Sequence, residues 1–156
     1  MSKSNRHRSI FNLPQLPESE VIYTGLDVHK KKIHAAARVG QKFLDTWVMP
    51  ADSEAVIASL EGIRETEHQI AYEAGPTGYE LARNLREEGF QIEVVAPGKT
   101  PQPANQGNKS DSRDCRKIAE YLQKGLLETV TMPTRQEEAD RQVLGLREQL
   151  VKKRAR

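Results

Sequence analysis

Val21-Ile22-Tyr23-Thr24-Gly25-Leu26-Asp27-Val28 reads as a buried β-strand that runs into a carboxylate. The stretch is rich in β-branched and aromatic residues and has strand length, which favours extended backbone over helix. Working outward, Ile33 to Val39 forms a second strand candidate and Lys42 to Met49 a third, with Gly40-Gln41 in the turn between them. These three make an antiparallel meander. Asp52 or Ser53 can cap a helix running to about Glu65, and Gln69-Ile70-Ala71-Tyr72-Glu73 is a short fourth strand.

From there the pattern alternates helix and strand. Thr77-Gly78-Tyr79-Glu80 has the form of a capping box, and Gly89 is placed to close the following helix in the left-handed conformation. Leu81, Ala82, Leu85 and Phe90 give that helix one buried face. Gln91 to Ala96 is the fifth strand, followed by a Pro-, Gly-, Gln- and Asn-rich loop over 97–108. Ser110 caps the next helix, which Gly125 ends. A second capping box, Thr134-Arg135-Gln136-Glu137, opens a long polar helix that continues to Arg156. Three hairpin-linked strands followed by right-handed crossovers predict a mixed five-stranded sheet with flanking helices, in the order associated with the ribonuclease H-like fold.

Four acids stand out against this frame. Asp27 and Glu73 lie at strand ends with no basic partner evident in the sequence, and Lys109, Asp111 and Asp114 form a Lys-x-Asp-x-x-Asp cluster at a helix start. A spacing of three puts Asp111 and Asp114 on one helix face, where like charges repel unless something cationic lies between them. In α/β sheets ligands collect beyond the carboxyl ends of the strands, near a topological switch point. A four-carboxylate site for a divalent metal is the expectation.

Composition narrows the alternatives. With 156 residues, 37% of them apolar, the chain can bury one core. The lone Cys115 excludes an internal disulfide framework and a Cys-rich zinc site, and no apolar run reaches the length of a membrane span or signal-peptide core, so a cytoplasmic protein is expected. Residues 1–10 contribute +3 and residues 147–156 contribute +4 to a formal net charge of +2, so the middle carries about −5. Basic ends around an acidic body fit contact with nucleic acid, although short solvated tails would look the same. Residues 1–19, with Pro14 and Pro17 and no sustained periodicity, are expected to be disordered.

Three segments carry a family resemblance: Gly25-Leu26-Asp27-Val28-His29-Lys30, Tyr72-Glu73-Ala74-Gly75-Pro76-Thr77-Gly78-Tyr79 and Lys109-Ser110-Asp111-Ser112-Arg113-Asp114. In order and in predicted element they resemble the signature segments of the DEDD insertion-sequence transposases, the IS110 group, whose amino-terminal domain is RuvC-like. The resemblance covers roughly residues 20 to 156. It implies that Asp27, Glu73, Asp111 and Asp114 are the acidic tetrad binding magnesium or manganese, and that the activity is metal-dependent DNA cleavage and strand transfer. It also implies DNA as partner, in some members a structured guide RNA, with Lys30, Lys99, Lys109 and Arg113 near the nucleic-acid backbone. The expected division is a basic tail over 1–19, a RuvC-like domain over 20–132, and over 133–156 the start of a coiled-coil-like segment through which the chain would form a homo-oligomer. Complete members of the family add a carboxyl-terminal domain with a serine nucleophile, so a truncated, non-autonomous transposase is expected. Cys115 departs from the small residue, commonly alanine, that the family places after its last acid.

Other readings compete. A sugar-kinase or actin-like fold also begins with a strand ending near Gly-x-Asp, but the following Val28-His29-Lys30-Lys31-Lys32 lacks the small residues that let a backbone approach phosphate. A stand-alone Holliday-junction resolvase would share the fold and a carboxylate tetrad. A non-catalytic remnant that binds nucleic acid or dimerises is a third possibility, with Val143, Leu144, Leu146, Leu150 and Val151 as an incomplete apolar stripe. Residue by residue, Asp27 could be a solvated strand end, Glu73 a turn cap, and Asp111 an acid favoured by the helix dipole. His29 and His34 are expected to face opposite sides, and with His68 to serve packing or the surface rather than a metal.

Overall fold

The computed structural model describes residues 20–75, 78–101 and 111–155, and within the last of these the side chains of 111–113 lie outside the description. The expected tail over 1–19, the Thr77 and Ser110 caps, Lys109 and most of the 97–108 loop therefore fall outside the described residues.

Five strands, β1 (Ile22–Val28), β2 (Lys32–Val39), β3 (Lys42–Pro50), β4 (His68–Glu73) and β5 (Ile92–Val95), form one sheet in the order β3-β2-β1-β4-β5. The first three pair antiparallel, whereas β4 runs parallel to β1 and β5 parallel to β4. This is the mixed ribonuclease H-like arrangement expected from the sequence. Antiparallel neighbours need only the short turns at residues 29–31 and 40–41. The parallel pairs need crossovers, which α1 (Ser53–Leu60) and α2 (Glu80–Glu87) supply.

Strand alternation divides the core. Ile22, Leu26, Ile33, Ile70, Tyr72 and Val94 face Val56 and Leu60 of α1 and Leu81, Ala82 and Leu85 of α2, all buried in one cluster. The opposite face carries Ala71 and Val95, covered by Ile118 and Leu122 of α3 (Asp111–Gln123). Burying a side chain of this kind contributes about 1.5–3 kcal/mol. The sheet is thus sandwiched between α1 and α2 on one side and α3 on the other.

Local signals account for most element ends. Asp52 caps α1 by accepting the Ala55 N–H at 2.7 Å. Gly89 (φ 87°) and Gly125 (φ 67°) end α2 and α3 in the same way, the glycine N–H reaching back three residues and the next N–H five. That pattern satisfies the last helical carbonyls and puts the capping residue in the left-handed region, where glycine is favoured. Two expectations are corrected. α1 stops at Leu60 and tightens into a 3₁₀ turn over Glu61–Ile63, because Gly62 weakens the helix and both the N–H and hydroxyl of Thr66 donate to the Ile63 carbonyl, at 3.0 and 2.7 Å. α2 begins at Glu80 with Tyr79 as its cap, so Glu80 occupies the first helical position rather than the third, and its carboxylate turns outward to Arg83 and Arg135.

The long helix α4 (Arg135–Arg154) starts with the expected reciprocal Thr134–Glu137 box. Its first turn is clasped to α2. Arg83 pairs with Glu138 at 2.7 Å and donates to the Pro133 carbonyl at 2.8 Å, and Arg135 pairs with Glu80 at 3.0 Å. These contacts, Arg135 before Arg83, hold the Glu80 carboxyl below its ordinary range. Beyond the clasp no described residue of α4 is buried.

The contact that sets the position of α3 is at Gly25. A Cβ built there would lie 2.2 Å from the Cys115 carbonyl oxygen and 2.5 Å from the Ala119 nitrogen, both backbone atoms. Gly25→Ala therefore forces the helix off the sheet. The expected loss is roughly 3 kcal/mol, the upper end for overpacking, read as a fall of roughly 10 °C in the thermal midpoint. Arg83→Ala is expected to leave the sheet amides protected from hydrogen exchange while those of residues 134–141 exchange faster.

Candidate metal centre

Asp27 and Glu73 reach the same edge of the sheet because β1 and β4 are parallel and in register. Leu26 pairs with Tyr72 across these strands, so the next residue of each chain is one of the two acids. Both follow the Gly25 and Ala71 face, which is the face under α3. The Cys115 carbonyl sits over Gly25, two residues before Asp27, and Asp114 immediately precedes Cys115. Three of the four predicted acids, Asp27, Glu73 and Asp114, are thereby brought to one end of the β1-β4-α3 layer. Asp111 is the first residue of α3, one turn before Asp114, and its side chain lies outside the description. Among the described residues no three His, Cys, Asp or Glu side chains converge closely enough to hold a metal ion.

Neither sheet acid is left to water alone: Asp27 does have a basic neighbour, His29, and Glu73 is held by a backbone amide. The Asp27 Oδ2 lies 2.8 Å from Nε2 of His29, with the acid about one-fifth exposed at 19% and the imidazole 45% exposed. Glu73 Oε1 accepts the Gly98 N–H at 2.6 Å. A hydrogen bond from N–H to a carboxylate is charge-assisted and directional, so it fixes the accepting oxygen. Glu73 is therefore a partner of the turn after β5.

The histidines are also corrected. His29 and His34 do not face opposite sides: their rings meet edge to face with centroids 6.0 Å apart. Simple alternation fails because residues 29–31 form the hairpin turn and carry His29 back over the strand that follows. His68 behaves as expected of a packing residue, buried against Phe90 and bonded to the Thr66 carbonyl at 2.8 Å.

The predicted basic residues divide. Lys30 lies exposed in the β1–β2 turn beside His29, and Lys99 is exposed in the turn after β5, 4.0 Å from Glu128. Lys109 and the Arg113 side chain lie outside the description. Cys115 is buried under this end of the sheet, and burial first, with the nearby Asp27 charge adding, pushes its thiol from 9.0 up to about 11.

Residues 24–156 match the family model of the DEDD-type transposases of the IS110 group, described as transposase. The chain belongs to this transposase family. Among curated relatives, the transposase of insertion sequence element IS1533 from Leptospira borgpetersenii is 29% identical over 134 residues, covering 83% of this chain and 39% of that protein. The transposase-named protein y4qE of Sinorhizobium fredii is 38% identical over 101 residues, 59% of this chain and 26% of the relative. This IS110-type chain thus spans well under half the length of either relative. Solved structures of Thermus thermophilus RuvC, one free and one in complex with a Holliday junction substrate, align over 70% of the chain and 99% of their own, at 12% and 13% identity and TM-scores of 0.47 and 0.44. The fold assignment rests on the strand order itself. No helix among the described residues of this transposase-family chain is long and apolar enough to cross a membrane.

Sequence reading missed three features. His29 could have been found from its place two residues after Asp27, the Gly98 donor from the Pro97-Gly98 turn signal, and the close approach of α3 from a glycine inside a strand. The thiol provides a check on this packing. At pH 8, Cys115 in the folded chain is expected to react with a thiol probe at least about 100-fold more slowly than in the unfolded chain, since raising the pKa from 9.0 to about 11 leaves about a hundredth of the thiolate. Gly25→Ala is expected to raise the folded-state rate.

Proposed function

We propose that this chain carries the metal-binding domain of a DNA transposase, with Asp27, Glu73, Asp111 and Asp114 as the ligands of a divalent cation, magnesium or manganese. The observation that supports this reading most directly is the register of β1 and β4, which sets two carboxylates side by side under the first turns of α3. The donor set fits the ion: all four are carboxylates, hard oxygen ligands of the kind magnesium and manganese prefer. Like charges gathered at one edge disfavour each other, and a cation relieves that repulsion. When bound, such a cation stabilises the charge that develops on phosphate oxygens during an in-line displacement.

The chain's own residues supply the rest of the proposed chemistry. Asp27 and Glu73 are held by His29 and by the Gly98 N–H, so their oxygens are oriented before a ligand arrives. Lys30 and Lys99 flank this edge as exposed cations suited to phosphate, and Lys109 and Arg113 are proposed to join them. DNA is the proposed substrate, with a structured RNA as a further partner. The exposed Val143, Leu146 and Leu150 of α4 support self-association through that helix. Strand transfer by the whole transposase is proposed to need more of the relatives' length than this chain spans.

Isothermal titration of magnesium and manganese into the wild type, Asp27→Asn, and the Asp111→Asn/Asp114→Asn double variant tests the reading. Wild-type binding is expected, with a loss of at least about tenfold in each variant and an unchanged far-UV spectrum. Equal affinity in all three proteins would sink it.

A further inference from the structure

The turn after β5 contributes more than a route to α3. Ala96-Pro97-Gly98-Lys99 closes through the Lys99 N–H and the Ala96 carbonyl at 3.2 Å, with Gly98 at φ 70°. Proline at the second position and a positive-φ glycine at the third define a type II turn. Its third N–H, that of Gly98, is not used within the turn and donates instead to Glu73 Oε1 at 2.6 Å. The turn is itself anchored to the sheet and to the segment after α3. Ala74 N–H donates to the Val95 carbonyl at 2.9 Å, Ala96 N–H to that of Glu128 at 3.0 Å, and Val130 N–H to that of Val94 at 2.8 Å. A Cβ on Gly98 would meet nothing within 4 Å, so the backbone angle rather than space calls for glycine.

This donor differs in kind from the one on Asp27. His29 is a half-exposed side chain that can rotate away, whereas the Gly98 N–H is fixed by the chain path and needs no side-chain ordering. We infer that Gly98 is a positioning residue of the cation site: its N–H holds Oε1 of Glu73, leaving Oε2 for the cation, and the turn and cation occupancy are coupled. The inference rests on the reading of Glu73 as a cation ligand. Coupling of this sort is reciprocal, so whatever factor the ordered turn adds to cation affinity, the cation returns to the order of the turn. The same turn carries the exposed Lys99, 4.0 Å from Glu128.

The test combines magnesium titration with amide hydrogen exchange on the whole chain, in the wild type, Glu73→Ala, Gly98→Ala and Gly98→Asn. Without magnesium the Gly98 amide is expected to be protected in the wild type and to exchange at least about tenfold faster in Glu73→Ala. Gly98→Ala retains the carboxylate but strains the turn, and is expected to weaken magnesium binding by about tenfold, as loss of an outer-shell partner does. Gly98→Asn tolerates the left-handed angle and is expected to recover most of that loss, which separates a displaced turn from a damaged fold. With magnesium, the wild-type Gly98 amide is expected to exchange more slowly still. Wild-type affinity in Gly98→Ala, together with lost binding in Glu73→Ala, would overturn the positioning role and leave the cation reading standing. No magnesium binding by the wild type would overturn both.

Discussion

The absence of a side chain at Gly25 is the constraint on which the arrangement turns. Helix α3 lies so close to β1 that its backbone fills the place of a Cβ. Close approach of a helix to the middle of a sheet fixes both its height and its position along the strand. The first turn of α3 therefore falls over the end of β1, where Asp27 emerges, and not over its middle. The same approach buries Cys115 and seats Ile118 and Leu122 on Ala71 and Val95. The small apolar cluster on this face does not define the geometry alone; the glycine does.

Parallel pairing accounts for the second half of the geometry. Residues on neighbouring parallel strands advance together, so an acid at the end of each strand makes a pair without any special turn. Placing charges this way is costly, and the cost is partly met by N–H donors from the two loops that leave the same edge, His29 from the β1–β2 turn and Gly98 from the β5 turn.

The strands were legible in the sequence to within a residue or so, from Ile22–Val28 to Ile92–Val95, because alternation and β-branched content report which residues face a core. So was the place of Asp27 and Glu73 near the ends of β1 and β4, where an acid interrupts an apolar run. Turn paths were less legible. Periodicity gives the face of a strand residue but not the course of a three-residue hairpin, which is why the meeting of His29 and His34 went unread. The start of α2 at Glu80 was missed for a related reason: the Thr77–Glu80 spacing satisfies a capping pattern, while the pair Glu80 makes with Arg135 comes from an element distant in sequence. Long-range ion pairs leave no local trace.

Helix α4 is 20 residues long, which at 1.5 Å per residue is about 30 Å. Among the described residues it is fastened at its base, through Arg83, Glu138, Arg135 and Glu80. A rod held at one end is a lever. Tilting it by roughly 10° about that clasp would carry its far end by roughly 5 Å, close to the spacing of one helical turn. A few ion pairs at its base thus set the direction in which the exposed Leu146 and Leu150 are presented relative to the sheet.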